Sequence, residues 1–358
     1  MEAAIYLGPN TLTLEDVSPL DPGEHDVVVE LAASGVCHSD LSASRGYLQL
    51  ATPMVLGHEG AGRIRFVGDK VTRVKLGDRV ICAYVPACGN CWWCLHDQSH
   101  LCARTEEYHS RQRWRRGDGS VATAFSGLGT FAPSITVDES AVVSVDTDIS
   151  DDELALVGCA LPTGVGAVIN TAHVPVGSSV AIIGCGGVGQ AAVQGAVLAG
   201  AAKIIAIDPQ EMKRAVAVRL GATDTVDPAS CEPVDRILEL TAGRGVDFAF
   251  EIVGVPKLIE QAFRMVRKGG TVVVVGVTRW DAQVAFAALP LMLEEKRILG
   301  SYYGSSQVRR DLQRLLDLVA RGRLDIGVLV SRRYALRELR DALHAIDSGE
   351  VIRSVIVF

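Results

Sequence analysis

Four cysteines close together in the chain are the most chemically specific feature of the sequence. They have the spacing Cys-x2-Cys-x2-Cys-x7-Cys, at Cys88, Cys91, Cys94 and Cys102. Four thiolates at such short intervals can close a tetrahedron around one zinc ion and leave no position open for a substrate. The spacing therefore predicts a structural zinc site in a lobe over 86–104. Unliganded cysteines are the alternative, but thiols so close together are prone to oxidation without a metal.

Two further cysteines and a histidine could form a second metal site from distant parts of the chain. Cys37 lies in Gly-Val-Cys-His-Ser-Asp, His58 in Gly-His-Glu, and Cys159 in Gly-Cys-Ala. Two thiolates and one imidazole, with a fourth position open, are the Cys₂His set of catalytic zinc. Each residue also has an ordinary explanation, because single cysteines are common in protein cores. From composition and spacing alone, this second site remains a suggestion.

A glycine-rich turn provides the third candidate site. The apolar run Val180–Ile183 leads directly into Gly184-Cys185-Gly186-Gly187-Val188-Gly189, which opens a predicted helix. In a strand–turn–helix context, GxGxxG glycines allow a tight turn, close approach of a pyrophosphate, and helix packing on the strand. Asp208 ends the next predicted strand, where a carboxylate can accept hydrogen bonds from the adenosine ribose and repel a 2′-phosphate. The pattern predicts NAD rather than NADP.

The surrounding pattern changes near residue 160. Residues 1–150 contain short β-rich runs separated by Gly and Pro, whereas 161–299 alternate apolar strands with helices. Nearly continuous apolar strands between helices are typical of a parallel sheet covered on both faces. We therefore expect an α/β chain in which 1–160 and 300–358 form a β-rich catalytic domain, interrupted by a doubly wound parallel-sheet domain over 161–299.

Composition excludes several classes of function. Hydrophobic residues make up 48% of the chain, charged residues 22%, and the net charge is −7. The acidic balance argues against general nucleic-acid binding, and no apolar stretch has the length of a membrane span. The first residues lack the basic start and apolar middle of a signal peptide. We expect a cytoplasmic protein whose nine cysteines serve metal or redox roles rather than disulfides.

With these residues located, the sequence resembles the zinc-dependent medium-chain alcohol dehydrogenases from end to end. The markers are Gly57-His58-Glu59-x2-Gly62-x5-Gly68-x2-Val71, the four-cysteine lobe, Val157-Gly158-Cys159, the glycine-rich turn, and the closing Ile352-Arg353-Ser354-Val355-Ile356. The resemblance implies a GroES-like catalytic domain and a Rossmann domain. It also implies hydride transfer between an alcohol and NAD, with one catalytic and one structural zinc.

The resemblance also assigns roles to individual residues. Cys37, His58 and Cys159 are expected to ligate the catalytic zinc, with Glu59 as a nearby acid, Asp40 orienting His58, and Ser39 accepting the substrate proton. Beyond the glycine-rich turn and Asp208, the resemblance implies cationic contacts to the cofactor from Lys213 and Arg353, and a wall around the nicotinamide from Thr163, Val275 and Val277.

Two positions depart from the family pattern. Three residues after Ser39, liver-type members carry a histidine that continues the proton relay, whereas this chain has Ser42. The residue after Cys37 is often an arginine on the pyrophosphate, and here it is His38, a weaker and pH-dependent substitute. We expect proton release through water or another group, and looser cofactor binding.

The substrate and the assembly state stay open at this point. A primary or aryl alcohol (or its aldehyde) is one candidate, and an S-hydroxymethyl thiol conjugate, the substrate of a thiol-dependent formaldehyde dehydrogenase, is the other. Tyr84 is a candidate wall of the substrate channel, and the arginine-rich stretch 111–119 is either a cationic loop that recruits an anionic substrate or a solvated loop. Apolar segments 284–293 and 298–303 resemble the family's association edge and favour a homodimer or homotetramer. A non-catalytic NAD-binding protein or a zinc-free reductase would lack residues that this chain retains.

Overall fold

The computed structural model describes residues 1–358, which divide into two compact units. Met1–Cys159 and Ser306–Phe358 form the first, here called the discontinuous unit, and Ala160–Ser305 form the second, the inserted unit. The sequence predicts an inserted domain over 161–299. The inserted unit begins one residue before that range and ends six residues after it. No single helix combines the length and apolarity needed to cross a bilayer.

The discontinuous unit begins with ten strands and four short helices. The strands are β1 (Glu2–Gly8), β2 (Thr11–Pro19), β3 (Asp26–Val36), β4 (Met54–Val55), β5 (Glu59–Val67), β6 (Arg79–Cys82), β7 (Gln112–Arg116), β8 (Val121–Ala124), β9 (Ser134–Asp138) and β10 (Val142–Ser144). The helices are α1 (His38–Ser44), α2 (Trp92–Leu95), α3 (Thr105–Ser110) and α4 (Asp151–Val157).

The inserted unit alternates strands and helices. Its strands are β11 (Ser179–Ile183), β12 (Lys203–Ile207), β13 (Asp224–Val226), β14 (Val246–Glu251), β15 (Val266–Val274) and β16 (Arg297–Gly300). Its helices are α5 (Ala160–Gly166), α6 (Gly187–Leu198), α7 (Glu211–Arg219), α8 (Pro233–Leu240), α9 (Pro256–Met265) and α10 (Ala288–Leu293). All neighbouring strands pair in parallel.

Strand order in the inserted unit is that of a dinucleotide-binding fold. The sheet runs β13-β12-β11-β14-β15-β16, which is 3-2-1-4-5-6 when the strands are numbered from β11. Separate buried apolar clusters involve the two sets of side chains on alternate strand positions, such as Ile182 in one and Ala181 in the other. This arrangement explains the near-continuous apolar strands and confirms the predicted α/β class.

The C-terminal segment returns to the discontinuous unit. It contains α11 (Val308–Ala320), β17 (Val330–Tyr334), α12 (Leu339–Asp347) and β18 (Arg353–Val357). Five strands form a closed barrel, β1-β2-β7-β8-β4, and a second sheet runs β10-β6-β5-β3-β18-β17 with β9 also paired to β3. Because β18 lies antiparallel to β3, with Ser354 opposite Val36, the last strand brings Arg353 beside the stretch that leads to Cys37.

The arginine-rich stretch corrects the sequence interpretation, because most of it is a barrel strand rather than a loop. Its arginines lie largely on barrel strand β7. Arg113 is buried and donates to both carboxylate oxygens of Asp26, at 2.7 and 3.2 Å. Arg111 pairs with Asp138, and Arg116 pairs with Glu15. Three of the four arginines are therefore engaged in ion pairs within the protein, and Arg115 is exposed.

Arg113→Ala should lower the free energy of unfolding by about 3 kcal/mol, because it leaves the buried Asp26 carboxylate without its main partner. Urea denaturation followed by circular dichroism measures the change. Arg115→Ala is the matched control, since Arg115 lies on the same strand with an exposed side chain, and its effect should be within about 0.5 kcal/mol. Equal effects of the two substitutions would contradict a structural role for the Arg113 ion pair.

Candidate active site and metal centres

Four buried side chains of the discontinuous unit converge on one point. Cys37 ends the segment after β3 and caps α1, His58 precedes β5, Glu59 begins β5, and Cys159 follows α4. One potential ligand atom from each of the four lies within 4.8 Å of the others. Residues separated by more than a hundred positions in sequence thus form a single cluster.

Asp40 orients two members of this cluster from the first turn of α1. One carboxylate oxygen, Oδ2, accepts the backbone N–H of Cys37 at 3.0 Å. The other, Oδ1, accepts the backbone N–H of Gly57 at 3.2 Å and lies 3.1 Å from Nδ1 of His58. A carboxylate on Nδ1 places the imidazole proton there and leaves Nε2 as the ligand atom, the usual arrangement around a metal-binding histidine.

The atoms of this cluster fit a catalytic zinc ion. His58 is fully buried, yet its Nε2 has no hydrogen-bond partner in the protein. A buried polar atom without a partner is costly unless a ligand satisfies it. A hydrogen bond between the thiols lowers the pKa of Cys37 well below that of an ordinary cysteine and raises the pKa of Cys159. Two sulfurs and one imidazole nitrogen could hold a zinc ion with one position left for a substrate oxygen.

Glu59 and Arg353 form a buried ion pair beside the cluster. The guanidinium of Arg353, on β18, donates to Oε2 of Glu59, and both side chains are almost completely buried. Burial raises the pKa of Glu59 to about 7, against the opposing effect of the Arg353 charge. A side chain at Gly35 would overlap the Glu59 carboxylate, so the glycine on β3 makes room for the pair. The cofactor contact expected of Arg353 remains a prediction.

Ser39 and two aromatic rings lie beside the cluster. The Ser39 hydroxyl oxygen lies 3.8 Å from Sγ of Cys37. Tyr84 and Phe125 each approach the His58 ring edge-on, with ring centroids at 5.1 and 5.3 Å. Tyr84 was expected near the substrate, whereas nothing in the sequence distinguishes Phe125 from an ordinary core aromatic. His38, the residue between Cys37 and Ser39, is exposed on α1.

The second group of cysteines also converges. The sulfurs of Cys88, Cys91, Cys94 and Cys102 all lie within 4.8 Å of one another. The Cys88–Cys94 and Cys91–Cys102 sulfur pairs are 3.9 and 4.0 Å apart, close to the edge of about 3.8 Å in a tetrahedron with zinc–sulfur bonds of 2.3 Å. Backbone N–H groups of Cys91 and Cys88 donate to the sulfurs of Cys88 and Cys102. The group could hold a second zinc ion in a closed shell.

The glycine-rich turn of the inserted unit has the local geometry of a phosphate site. Gly184 has a φ of +91°, which favours glycine, and a Cβ on Gly186 would meet nothing within 4 Å. A Cβ on Gly189 would overlap the carbonyl of Gly184, so α6 packs directly against the turn. Gly187 and Val188 begin α6, whose free N–H groups lie at the turn. These features fit a dinucleotide pyrophosphate.

The other predicted cofactor residues of this unit lie around the same sheet. Asp208 follows β12, is buried, and accepts the backbone N–H of Cys185 at 2.8 Å, which ties it to the turn. Lys213 is a largely buried residue of α7 whose carbonyl accepts from Gln190 at 2.8 Å. Val275 and Val277 follow β15, and Thr163 lies on α5. Their contacts to a cofactor remain predictions.

Comparison with known proteins decides the family. The alcohol dehydrogenase GroES-like domain model matches residues 23–147, and the zinc-binding dehydrogenase model matches 187–321. The NDMA-dependent alcohol dehydrogenase of Amycolatopsis methanolica is 36% identical over 364 residues, covering 99% of this chain and 98% of that protein. The chain belongs to the zinc-dependent medium-chain alcohol dehydrogenases.

Other relatives of this alcohol dehydrogenase have different named substrates. The crystal structure of benzyl alcohol dehydrogenase from Acinetobacter calcoaceticus aligns with a TM-score of 0.92 and 30% identity, over 100% of this chain and 99% of that chain. The S-(hydroxymethyl)glutathione dehydrogenase of Saccharomyces cerevisiae is 32% identical, covering 99% of this chain and 95% of that protein. The chain is thus a zinc-dependent oxidoreductase, and the expected GroES-like and Rossmann domains are confirmed.

Asp40→Ala should weaken zinc binding at the Cys37–His58–Cys159 cluster by about 10- to 100-fold, because the candidate ligand His58 and the backbone of Cys37 lose their common acceptor. Chelator competition with metal analysis measures the zinc retained by each chain. Zinc at the four-cysteine lobe should be unaffected. Asp138→Ala is the control, since Asp138 is a buried aspartate of the same unit that accepts the Ser140 N–H at 3.0 Å. Full retention of zinc by Asp40→Ala would refute the orienting role.

Proposed function

We propose that this alcohol dehydrogenase transfers a hydride between a primary or aryl alcohol, or the matching aldehyde, and NAD. Each chain would hold one catalytic zinc at Cys37, His58 and Cys159 and one structural zinc at the four-cysteine lobe. The single observation that carries the proposal is that the sulfurs of Cys37 and Cys159 lie within 4.8 Å of a ring nitrogen of His58, whose Nε2 has no hydrogen-bond partner. A closed four-sulfur shell has no position for a substrate, so catalysis is assigned to the three-residue site.

The chain's own residues divide the remaining chemistry among them. When bound, zinc supplies a Lewis acid that acidifies an alcohol hydroxyl, and NAD supplies the hydride acceptor. The Ser39 hydroxyl, next to Cys37, accepts the alcohol proton in the oxidative direction. Asp40 keeps its hydrogen bonds to Cys37 and His58 throughout and does not itself take the proton.

The proton leaves Ser39 by a route other than the histidine relay of liver-type members. The position that would carry that histidine is Ser42, on the same helix α1. Glu59 has a pKa of about 7, raised by burial, but its charge is engaged by Arg353 in the present arrangement. We assign release to water that reaches the partly exposed Ser39.

Aromatic surroundings favour an aryl or other apolar alcohol. Tyr84 and Phe125 both stand edge-on to the His58 ring and supply apolar surface next to the proposed zinc ligand. The benzyl alcohol dehydrogenase among the structural relatives supports the same class. The S-(hydroxymethyl)glutathione dehydrogenase relatives keep an S-hydroxymethyl thiol conjugate as the alternative. The paired arginines on β7 give that anionic alternative no support.

Coenzyme preference is assigned to Asp208. Its Oδ2 and Oδ1 accept backbone N–H groups of Cys185 and Gln210 at 2.8 and 2.9 Å, which fixes the carboxylate next to the glycine-rich turn. A fixed negative charge there accepts hydrogen bonds from ribose hydroxyls and repels a 2′-phosphate, which favours NAD over NADP.

We further propose a cytoplasmic homodimer or homotetramer. None of the nine cysteines forms a disulfide bond, which fits a reducing compartment.

A substrate panel with the zinc-loaded protein tests the proposal. Benzyl alcohol and short primary alcohols should produce NADH absorbance at about 340 nm with NAD and far less with NADP. Formaldehyde with and without small thiols tests the conjugate alternative. NDMA in place of added NAD tests the dependence named for the Amycolatopsis relative. Turnover limited to thiol-bearing mixtures would reject the aryl-alcohol assignment.

His58→Ala should reduce turnover in this assay by about a thousandfold or more, which corresponds to several kcal/mol of lost Lewis-acid stabilisation. NADH binding should be retained. His344→Ala is the matched control, because His344 is an exposed histidine of α12 in the same unit. Wild-type rates in a metal-checked His58→Ala preparation would overturn the proposed catalytic site.

A further inference from the structure

Glu251, a buried residue with no role in the proposed chemistry, makes an unusual number of hydrogen bonds in the inserted unit. It is the last residue of β14, at the C-terminal end of the parallel strands, where the glycine-rich turn also lies. Its side-chain oxygen Oε1 accepts the backbone N–H groups of Val253, Gly254 and Val255, at 3.0, 2.8 and 3.4 Å. One carboxyl oxygen thus accepts from three of the four residues between β14 and α9.

The main chain of Glu251 holds a second loop at the same time. Its carbonyl oxygen accepts the backbone N–H groups of Val275 and Gly276, at 2.8 and 3.0 Å. These residues follow β15, which pairs with β14 so that Val274 lies opposite Glu251. The loop beyond β15 contains Val275 and Val277, which the family resemblance places in the wall around the nicotinamide.

The two loops pack tightly against each other, and the loop that contains Val253 also packs against the glycine-rich turn. A Cβ on Gly276 would overlap the backbone of Gly254, and a Cβ on Gly254 would overlap the carbonyl of Val277. On the other side, a Cβ on Gly184 would lie 2.6 Å from Cγ2 of Val253. A shift of the loop that Glu251 holds would therefore displace both the first glycine of the turn and the segment at Val277.

Glu251 acts here as a hydrogen-bond acceptor rather than as an ion-pair partner. No cationic side chain pairs with it, and its second oxygen, Oε2, has no partner in the protein. Burial raises the pKa of Glu251 above its ordinary value, although the three N–H donors oppose the shift. A neutral glutamine can keep the Oε1 acceptor and should serve nearly as well.

We propose that Glu251 is a positioning residue for NAD. Through the loops that follow β14 and β15, it fixes the glycine-rich turn and the proposed nicotinamide wall relative to each other. The inference rests on the proposed function, because it requires NAD to bind at the glycine-rich turn. It adds to that function a residue that does not itself touch the cofactor.

NADH binding to the zinc-loaded protein, followed by fluorescence titration, tests the proposal. Glu251→Met, which removes the acceptor at similar volume, should weaken NADH binding at least tenfold. Glu251→Gln should bind within about threefold of the unchanged protein, since it keeps Oε1. Asp247→Ala is the matched control. Asp247 lies four residues earlier on β14, where its carboxylate accepts the N–H and hydroxyl of Ser179 at 2.7 Å each, and its loss should lower the melting temperature without changing NADH affinity.

Each outcome is decisive. Unchanged NADH affinity in Glu251→Met, or equal weakening in Asp247→Ala, would overturn the positioning role. Absence of NADH binding by the unchanged protein would instead defeat the proposed function, and the inference with it. If Glu251→Met does not fold, hydrogen–deuterium exchange of the unchanged protein decides. NADH should slow exchange in 253–255 and 275–277 together, and no change in 253–255 would refute the proposal.

Discussion

The buried carboxylate of Asp40 is the contact on which the rest of the site depends. It receives the backbone N–H groups of Cys37 and Gly57 and faces Nδ1 of His58, so it fixes two of the three proposed zinc ligands at once. The third proposed ligand, Cys159, follows α4, where the close approach of Gly158 to the backbone of Cys82 sets its position. A metal ion would therefore enter a site whose ligand directions are already determined by backbone hydrogen bonds, which reduces the cost of ordering them.

Small residues repeatedly make this arrangement possible. Gly35 leaves room on β3 for the Glu59 carboxylate, and Gly189 lets α6 lie directly against the turn at Gly184. The two sites are built on different principles. The zinc site uses side chains held by a buried carboxylate, whereas the dinucleotide site uses main-chain groups at the edge of a parallel sheet. Glu251 combines both features, because its buried carboxyl and its carbonyl oxygen hold main-chain N–H groups of two loops beside the dinucleotide site.

Local pattern was sufficient to predict the fold class, the strand–turn–helix at Gly184 and the clustering of the four lobe cysteines. These features depend on spacing over a few residues, which a sequence displays directly. Contacts between distant segments were not predictable in the same way. The pairing of Glu59 with Arg353 depends on β18 lying against β3, and the edge contact of Phe125 with His58 has no local signal. The arginines near residue 113 were misjudged because their partners, such as Asp26, lie on other strands.

The central claim is that Cys37, His58 and Cys159 share one zinc ion, and anomalous diffraction at the zinc edge tests it most directly. Crystals of the zinc-loaded protein should show two anomalous peaks in each chain. One should lie about 2.0–2.1 Å from Nε2 of His58 and about 2.3 Å from the sulfurs of Cys37 and Cys159. The other should lie among the four sulfurs of the lobe. A peak at the lobe alone, in protein that turns over an alcohol, would contradict the account.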